Sequence, residues 1–289
     1  MTNVQGIRWT SVAMVLPGMF WLFAFAVVPV GLLFVLSLWT AGMFGIERTW
    51  TLRNYVTIFS DPVYLLILLK TLRIAIISTV LSLLLSYPLA MFLSRLSGRT
   101  RTAFLLLMFL PFWSSYVVRS YMWLPVLGRG GIVNQALMSV GIIDQPIDGL
   151  LFNEGAVYVG LIYVYTLFMV LPILLSLDRI DRSLFEAGTD LGARPFDIFL
   201  RITLPMTMPG VWSGCTMVFL LSVGAYVAPQ LLGGTSGVMI GNIIASQFLS
   251  TNNWPLGAAL ASVLLLLVGL IFVFFGRQLG LRQLFMGDR

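Results

Sequence analysis

The chain has no histidine, a single cysteine (Cys215) and a single lysine (Lys70) in 289 residues. No imidazole is present to act as a general base or metal ligand, and one thiol cannot form an internal disulfide. Lys70 follows Leu68 and Leu69 rather than a glycine-rich turn, so there is no Walker A loop and the chain cannot hydrolyse ATP by itself. Cys215, inside an apolar run, reads as a small packing residue. Charge is also scarce: only 10% of residues are charged, and no Asp, Glu, Lys or Arg lies between Arg201 and Arg277. A proton- or sodium-driven carrier usually keeps carboxylates inside the membrane as relays or ion sites. Their absence here says that the driving force comes from elsewhere.

What is abundant is apolar surface. Hydrophobic residues make up 59% of the chain and the mean hydropathy is +0.97, which places it in the membrane class. A spanning helix needs roughly 20 apolar residues. Six segments qualify: Val12 to Leu38, Leu65 to Leu93, Ala103 to Leu127, Ala156 to Leu177, Gly210 to Pro229 and Leu256 to Gly276. The expected fold is therefore an all-α, polytopic membrane protein of about six transmembrane helices, with residues 1–289 forming one transmembrane domain. The first segment has an alternative reading. Ala24-Phe25-Ala26 resembles a signal-peptidase site, but the apolar run continues through Leu36, longer than a signal core needs, which favours a retained anchor.

The basic residues set the expected orientation. Arg8, Arg95, Arg99, Arg101, Arg179, Arg182, Arg194, Arg201, Arg277, Arg282 and Arg289 all fall on one side if six spans alternate. The opposite loops mix Arg48, Arg53 and Arg129 with Glu47, Asp61, Asp144, Asp148 and Glu154. The positive-inside rule then puts both termini in the cytoplasm of a multi-pass protein of the plasma membrane. This bias accounts for the net charge of +6 without a nucleic-acid partner.

Between the fourth and fifth segments, on the cytoplasmic side, residues 178–209 form the one long polar insert that reads as ordered. Ser183 and Glu186 stand at the spacing of a capping box, so a helix is expected to start at Ser183. Leu184, Phe185, Ala187 and Leu191 can share one face, Gly192 can take the left-handed conformation that ends a helix, and Pro195 suits the first turn of the next. The pattern is helix, sharp turn, helix.

Four further features stand out within the apolar segments and the last outer loop. Lys70 and Arg73 can snorkel to the headgroups. Arg119 lies among Trp113, Ser114, Ser115, Tyr116, Tyr121 and Trp123, which form either an interfacial aromatic belt with Arg119 reaching outward, or the lining or outer gate of a translocation path. The fifth segment ends in Ser222, Gly224, Tyr226, Pro229 and Gln230, where Gly224 and Pro229 suggest a locally broken helix. That fits a pore-lining position or close packing of small residues. Past the turn-forming Gly233, Gly234 and Gly237, a short helix is expected around Ile240, Ile243, Ile244 and Phe248, lying at the interface or plugging a pore.

Glu186-Ala187-Gly188, Gly192 and Ile202-Thr203-Leu204-Pro205 closely resemble the EAA loop, E-A-A-x3-G-x9-I-x-L-P, of permease subunits of bacterial ABC importers. The spacing is kept in full, and Gly188 in place of the second alanine is the one departure. PFWSSYVVRSYMW, the loop around GRGGIVNQAL, LLGGTSGVMIGNIIASQF and NNWPLGAALA extend the resemblance to permeases of spermidine/putrescine importers and their opine-transport relatives. The resemblance implies a non-catalytic subunit in the bacterial inner membrane. It also implies a second permease that is a different chain, two ATPase subunits that carry the ATP and Mg, and an extracytoplasmic substrate-binding protein. It makes Ser183, Leu184, Phe185, Glu186, Ala187, Gly188, Asp190, Leu191, Gly192 and Pro205 the expected ATPase-coupling residues. Trp113, Ser115, Tyr116, Arg119, Tyr121, Ser222, Gly224, Tyr226 and Gln230 are the candidates for the path or its gate. No metal site and no cofactor in this chain are expected. The cargo it implies is a small polar or cationic solute, polyamine-like or opine-like. The polyamine permeases often carry acids near the end of span five, where this chain has Ala225 and Gln230. The alternative is an ion-gradient-driven secondary carrier or channel; an intramembrane enzyme ranks behind both.

Overall fold

The computed structural model describes residues 14–42 and 45–278, and these are almost entirely helical. Five described helices are long and apolar enough to cross a membrane: α1 (Met14–Ser37), α3 (Pro62–Arg95), α8 (Glu154–Leu177), α10 (Pro195–Val223) and α13, whose apolar run is Trp254–Val273. Between α3 and α8 a sixth crossing would have to use two bent pieces, Gly98–Trp113 and Tyr116–Ser139, which meet at 98°. The third expected span, Ala103 to Leu127, is therefore not a straight helix. Here α4 (Gly98–Phe109) tightens into a 3₁₀ turn at Leu110–Trp113. Pro111 withholds a donor there, and the Ser115 hydroxyl accepts the Val118 N–H at 3.2 Å to start a new helix, α5 (Tyr116–Tyr121). Short helices α6 (Trp123–Leu127) and α7 (Ile132–Ser139) follow.

The fifth span also differs from expectation. Expected from Gly210 to Pro229, it begins inside the polar loop at Pro195, passes through a π-turn at Phe199–Thr203 and stops at Val223. Gly224 ends it, and α11 (Val227–Leu232) starts after a break, so the predicted interruption near Gly224 is present. The short helix expected after the glycine turn is α12 (Ile240–Leu249). In that turn a Cβ on Gly237 would lie 2.2 Å from the Gly233 Cα, which is why no side chain fits.

The chain divides into two compact units. One holds the described residues up to Leu65 and those from Ile243 onward. In it α13 packs on α1 and on the short helix α2 (Arg53–Ser60). A two-stranded hairpin pairs Thr40 with Glu47. Asn54 fixes the end of α1 by donating to the carbonyls of Ser37 (2.8 Å) and Trp39 (2.7 Å). Gly257 and Ala258 serve close packing, as expected of small residues in a membrane helix: a Cβ on Gly257 would stand 3.0 Å from the Phe248 ring, and Ala258 is fully buried.

The second unit, Leu66 to Asn242, is organised on the α8–α10 pair. Gly210 and Gly214 are four residues apart and turn the same face of α10 to α8. A Cβ on Gly210 would lie 2.4 Å from the Pro172 carbonyl, and one on Gly214 would lie 2.8 Å from the Met169 sulfur. This is small-residue packing that lets two helices approach closely. Leu161, Val164, Met169, Val170 and Ile173 of α8 complete the core with Val211 and Val218 of α10. Tyr87 of α3 joins α10 through a 2.7 Å hydroxyl contact with Thr207.

Acids clamp both ends of α8. Glu154 takes Arg73 at 2.6 and 2.7 Å, with Lys70 at 3.7 Å, and Asp178 takes Arg101 of α4 at 2.5 Å. Lys70 and Arg73 are thus ion-paired rather than simply snorkelling to headgroups. An anion near a helix N-terminus, as Glu154 is, also complements the helix dipole.

Candidate functional site

The polar loop folds as helix, turn, helix, with one change at its start. The cap is Asp181, whose carboxylate accepts the Ser183 N–H at 3.0 Å, and helix α9 runs Arg182–Asp190. Ser183 is therefore a first-turn residue and not the cap; a carboxylate accepts the free N–H groups at least as well as a hydroxyl and is favoured by the dipole. That hydrogen bond holds the Asp181 carboxyl below its usual range, so the cap persists above the ordinary carboxylate pKa and is lost only as pH falls through the lowered one.

The far end behaves as its glycine requires. Gly192 has φ +76°, its N–H donates to Thr189 at 2.9 Å, and the Ala193 N–H donates to Gly188 at 3.0 Å. These are the two bonds of a Schellman ending.

The side chains of α9 sort differently from the single apolar face expected. Gly188 is buried and Phe185 half-buried, and both face the rest of the unit. A Cβ on Gly188 would meet Ile202 at 3.3 Å and Ile198 at 3.4 Å. The unexpected glycine thus buys a close approach within the chain, against the isoleucine that the same long motif specifies fourteen positions later. Leu184, Ala187 and Leu191 form a separate, outward stripe at helical spacing, with Leu191 88% exposed. Glu186, Asp190 and Pro205 are exposed as well. Behind α9 lies a cavity of about 1000 Å³, lined by Arg95, Arg101, Arg182 and Glu186 among apolar residues that include Phe185 and Phe199.

The candidate path residues separate into three groups. Trp113, 88% exposed, and Tyr121, 51% exposed, point away from the unit, as an aromatic belt would. Tyr116 and Arg119 turn inward from one face of α5. The Arg119 guanidinium lies 4.3 Å from the centre of the Phe112 ring, so it does not reach outward as the belt reading required. Phe112 contacts Phe168, which contacts Tyr165, which stacks on Tyr116 with ring centres 6.4 Å apart. The Tyr165 hydroxyl donates to the Leu221 carbonyl at 3.1 Å, beside the buried Ser222. The third group is held by Asn242, whose amide donates to the Tyr226 carbonyl (2.8 Å) and the Gln230 side chain (3.0 Å), both past the break at Gly224. Helix α11 packs against α5, so these groups belong to one region of the unit. Phe112, Tyr165, Phe168 and Asn242 were missed in the sequence; the aromatic residues on α8 could have been suspected from their i, i+3 spacing, whereas Asn242 gave no signal.

No protein-family model matches the chain. It is 38% identical over 232 residues to the spermidine/putrescine transport system permease protein PotB of Escherichia coli (strain K12), covering 80% of this chain and 84% of that protein. The inner membrane ABC transporter permease protein YdcU of the same organism is 32% identical, covering 78% of this chain and 75% of the relative. In fold, the chain superposes on the crystal structure of a bacterial ABC transporter that imports the acidic polysaccharide alginate, with TM-score 0.70, 19% identity, and coverage of 96% of this chain and 97% of that one. The unbroken spacing from Glu186 to Pro205, the helical architecture and these relatives agree: the chain belongs to the permease subunits of ABC importers, in the group of the spermidine/putrescine permeases, and is a non-catalytic, multi-pass membrane subunit.

Proposed function

We propose that this permease forms half of a translocation path in the bacterial inner membrane, that its other half is a different permease chain, and that α9 receives the movement of an ATPase. Two ATPase subunits bind ATP and Mg, and an extracytoplasmic binding protein delivers a small polar or cationic solute of the polyamine-like, opine-like or related kind. Both termini and α9 lie on the cytoplasmic side, in keeping with the arginine bias. The names of the relatives support the cargo class, and the binding-protein complex of the alginate importer supports the delivery step.

The observation that carries this reading is the two-sided construction of α9. Phe185 and Gly188 anchor it to α10, and Leu184, Ala187 and Leu191 remain outward as an apolar stripe of the kind that lies in a protein groove. A push on the stripe is delivered through Gly188, Ile198 and Ile202 to the base of α10, and from there to the α8–α10 pair. Alternating access is then a shift between two populations of the spans, biased by the nucleotide state of the ATPase.

Reconstitution in vesicles tests it. Uptake is expected only when the second permease, the ATPase and the binding protein are all present, and only with ATP. Uptake by this chain alone, driven by an ion gradient and indifferent to ATP, would overturn the reading.

A further inference from the structure

The cavity of about 1000 Å³ behind α9 lies within one compact unit, where three spans end together: α3 at Arg95, α8 at Leu177 and α10 at its Pro195 base. Spans end where hydrocarbon gives way to lipid headgroups, so the cavity stands at headgroup level. Its wall combines apolar surface, from residues such as Met91, Ile180 and Phe199, with the guanidiniums of Arg95, Arg101 and Arg182. Two carboxylates, Asp178 and Glu186, share the lining.

The charges do not cancel. Asp178 is taken by Arg101 at 2.5 Å, and no ion pair reaches Arg95, Arg182 or Glu186 among the described residues. Three cations against two anions leave one positive charge in excess. Two arginine forks, one from the last turn of α3 and one from the first turn of α9, remain free to donate. A guanidinium binds phosphate through paired N–H donors, and a basic pocket between spans on the cytoplasmic side suits an anionic lipid headgroup. A phosphodiester carries one negative charge, which matches the excess. Free phosphate would satisfy the arginines but leave the apolar wall against water. A zwitterionic headgroup brings a cation that the excess charge opposes.

We infer that this cavity binds an anionic phospholipid of the inner leaflet, with Arg95 and Arg182 on its phosphate and its acyl chains along the apolar wall. The inference rests on the proposed cytoplasmic placement of α9. Phe185, the inward anchor of α9, lines the same cavity, as does Ile198, which closes against Gly188. A bound lipid therefore braces α9 against the end of α3 and stiffens the coupling.

The delipidated, purified chain is given an equal mixture of phosphatidylglycerol, phosphatidylethanolamine and phosphatidylcholine with matched acyl chains, and the retained lipid is read by native mass spectrometry. Phosphatidylglycerol should be retained at least fivefold over either of the others. Arg95→Gln with Arg182→Gln should abolish that preference, and Arg95→Lys with Arg182→Lys should keep most of it. Arg99→Gln, at an exposed arginine outside the lining, should change nothing. If the glutamine pair does not fold, each single substitution is measured in its place. In the complete importer, ATP-dependent uptake into phosphatidylcholine vesicles should rise at least threefold when phosphatidylglycerol is included, in wild type but not in the glutamine pair. Equal retention of the three lipids overturns the inference, as does a preference that survives the glutamine pair or uptake indifferent to phosphatidylglycerol. Displacement of phosphatidylglycerol by inorganic phosphate at constant ionic strength overturns it too, because the site then takes free phosphate. So does loss of the ATPase from glutamine-pair assemblies, since these arginines then meet an acidic face of that partner. If the wild-type assembly imports nothing even with phosphatidylglycerol present, the importer reading fails, and lipid retention by the chain alone still decides the site.

Discussion

Gly210→Leu should leave little or no folded protein. A Cβ at this position falls 2.4 Å from both the Pro172 carbonyl and the Ser176 hydroxyl, and the first of these is backbone that cannot turn aside. The α8–α10 pair would have to separate, releasing the packing of Met169, Val170 and Ile173 around it. Overpacking typically costs about 1–3 kcal/mol and occasionally more, and a clash with backbone on both sides of a helix pair belongs at the upper end, a large part of the stability of an ordinary domain. The expected result is a steep fall in the yield of monodisperse, detergent-solubilised chain. Gly269→Leu is the control, because a Cβ there meets nothing within 4 Å, and its yield should match wild type. Equal yields for the two variants would mean that the Gly210–Gly214 face does not hold the helices together.

The double substitution Leu184→Asp, Leu191→Asp should do the opposite: leave the fold intact and disconnect it from its motor. Both side chains are exposed, so the chain loses little on its own account. Two carboxylates facing an apolar groove would have to be desolvated without partners, and even 1.4 kcal/mol lost from docking is a tenfold fall in affinity. Co-purification of the ATPase should drop at least tenfold and ATP-dependent uptake should vanish, with melting unchanged. Gly192→Pro should uncouple as well, for a different reason: its φ of +76° is closed to proline, so the turn that aims α9 cannot form. Retained coupling in both would show that movement enters elsewhere.

The helix, turn, helix of the polar loop was legible in the sequence because its signals are local. Gly192 and Pro195 mark a helix end and a helix start by backbone restrictions that hold in any context. The cap was misplaced by two residues because Asp181 and Ser183 both satisfy the chemistry of a cap, and only the path of the chain leaving α8 decides between them. The apolar runs were legible by length, but not the break at Ser114. Fifteen or more apolar residues read as one span whether they form one helix or two, and the cue was the combination of Pro111 with the serine pair.

The inward turn of Arg119 was undecidable from its neighbours, since Trp113 and Tyr121 on the same stretch are exposed. Its companions Tyr165 and Phe168 come from a helix about fifty residues away in sequence. Gly188 shows the same limit. It reads as a departure from a motif until Ile198 and Ile202 are seen to fill the space that a methyl group would take.

The claim that α9 docks on an ATPase is tested most directly at Leu191, in a Cys215→Ala background so that Leu191→Cys carries the only thiol. Its labelling rate by a fluorescent maleimide is measured in the free permease and in the ATP-hydrolysing assembly. Because the side chain is 88% exposed, labelling of the free chain should be fast; in the assembly it should slow by tenfold or more and vary with the nucleotide bound. A rate that is the same in both would contradict the account.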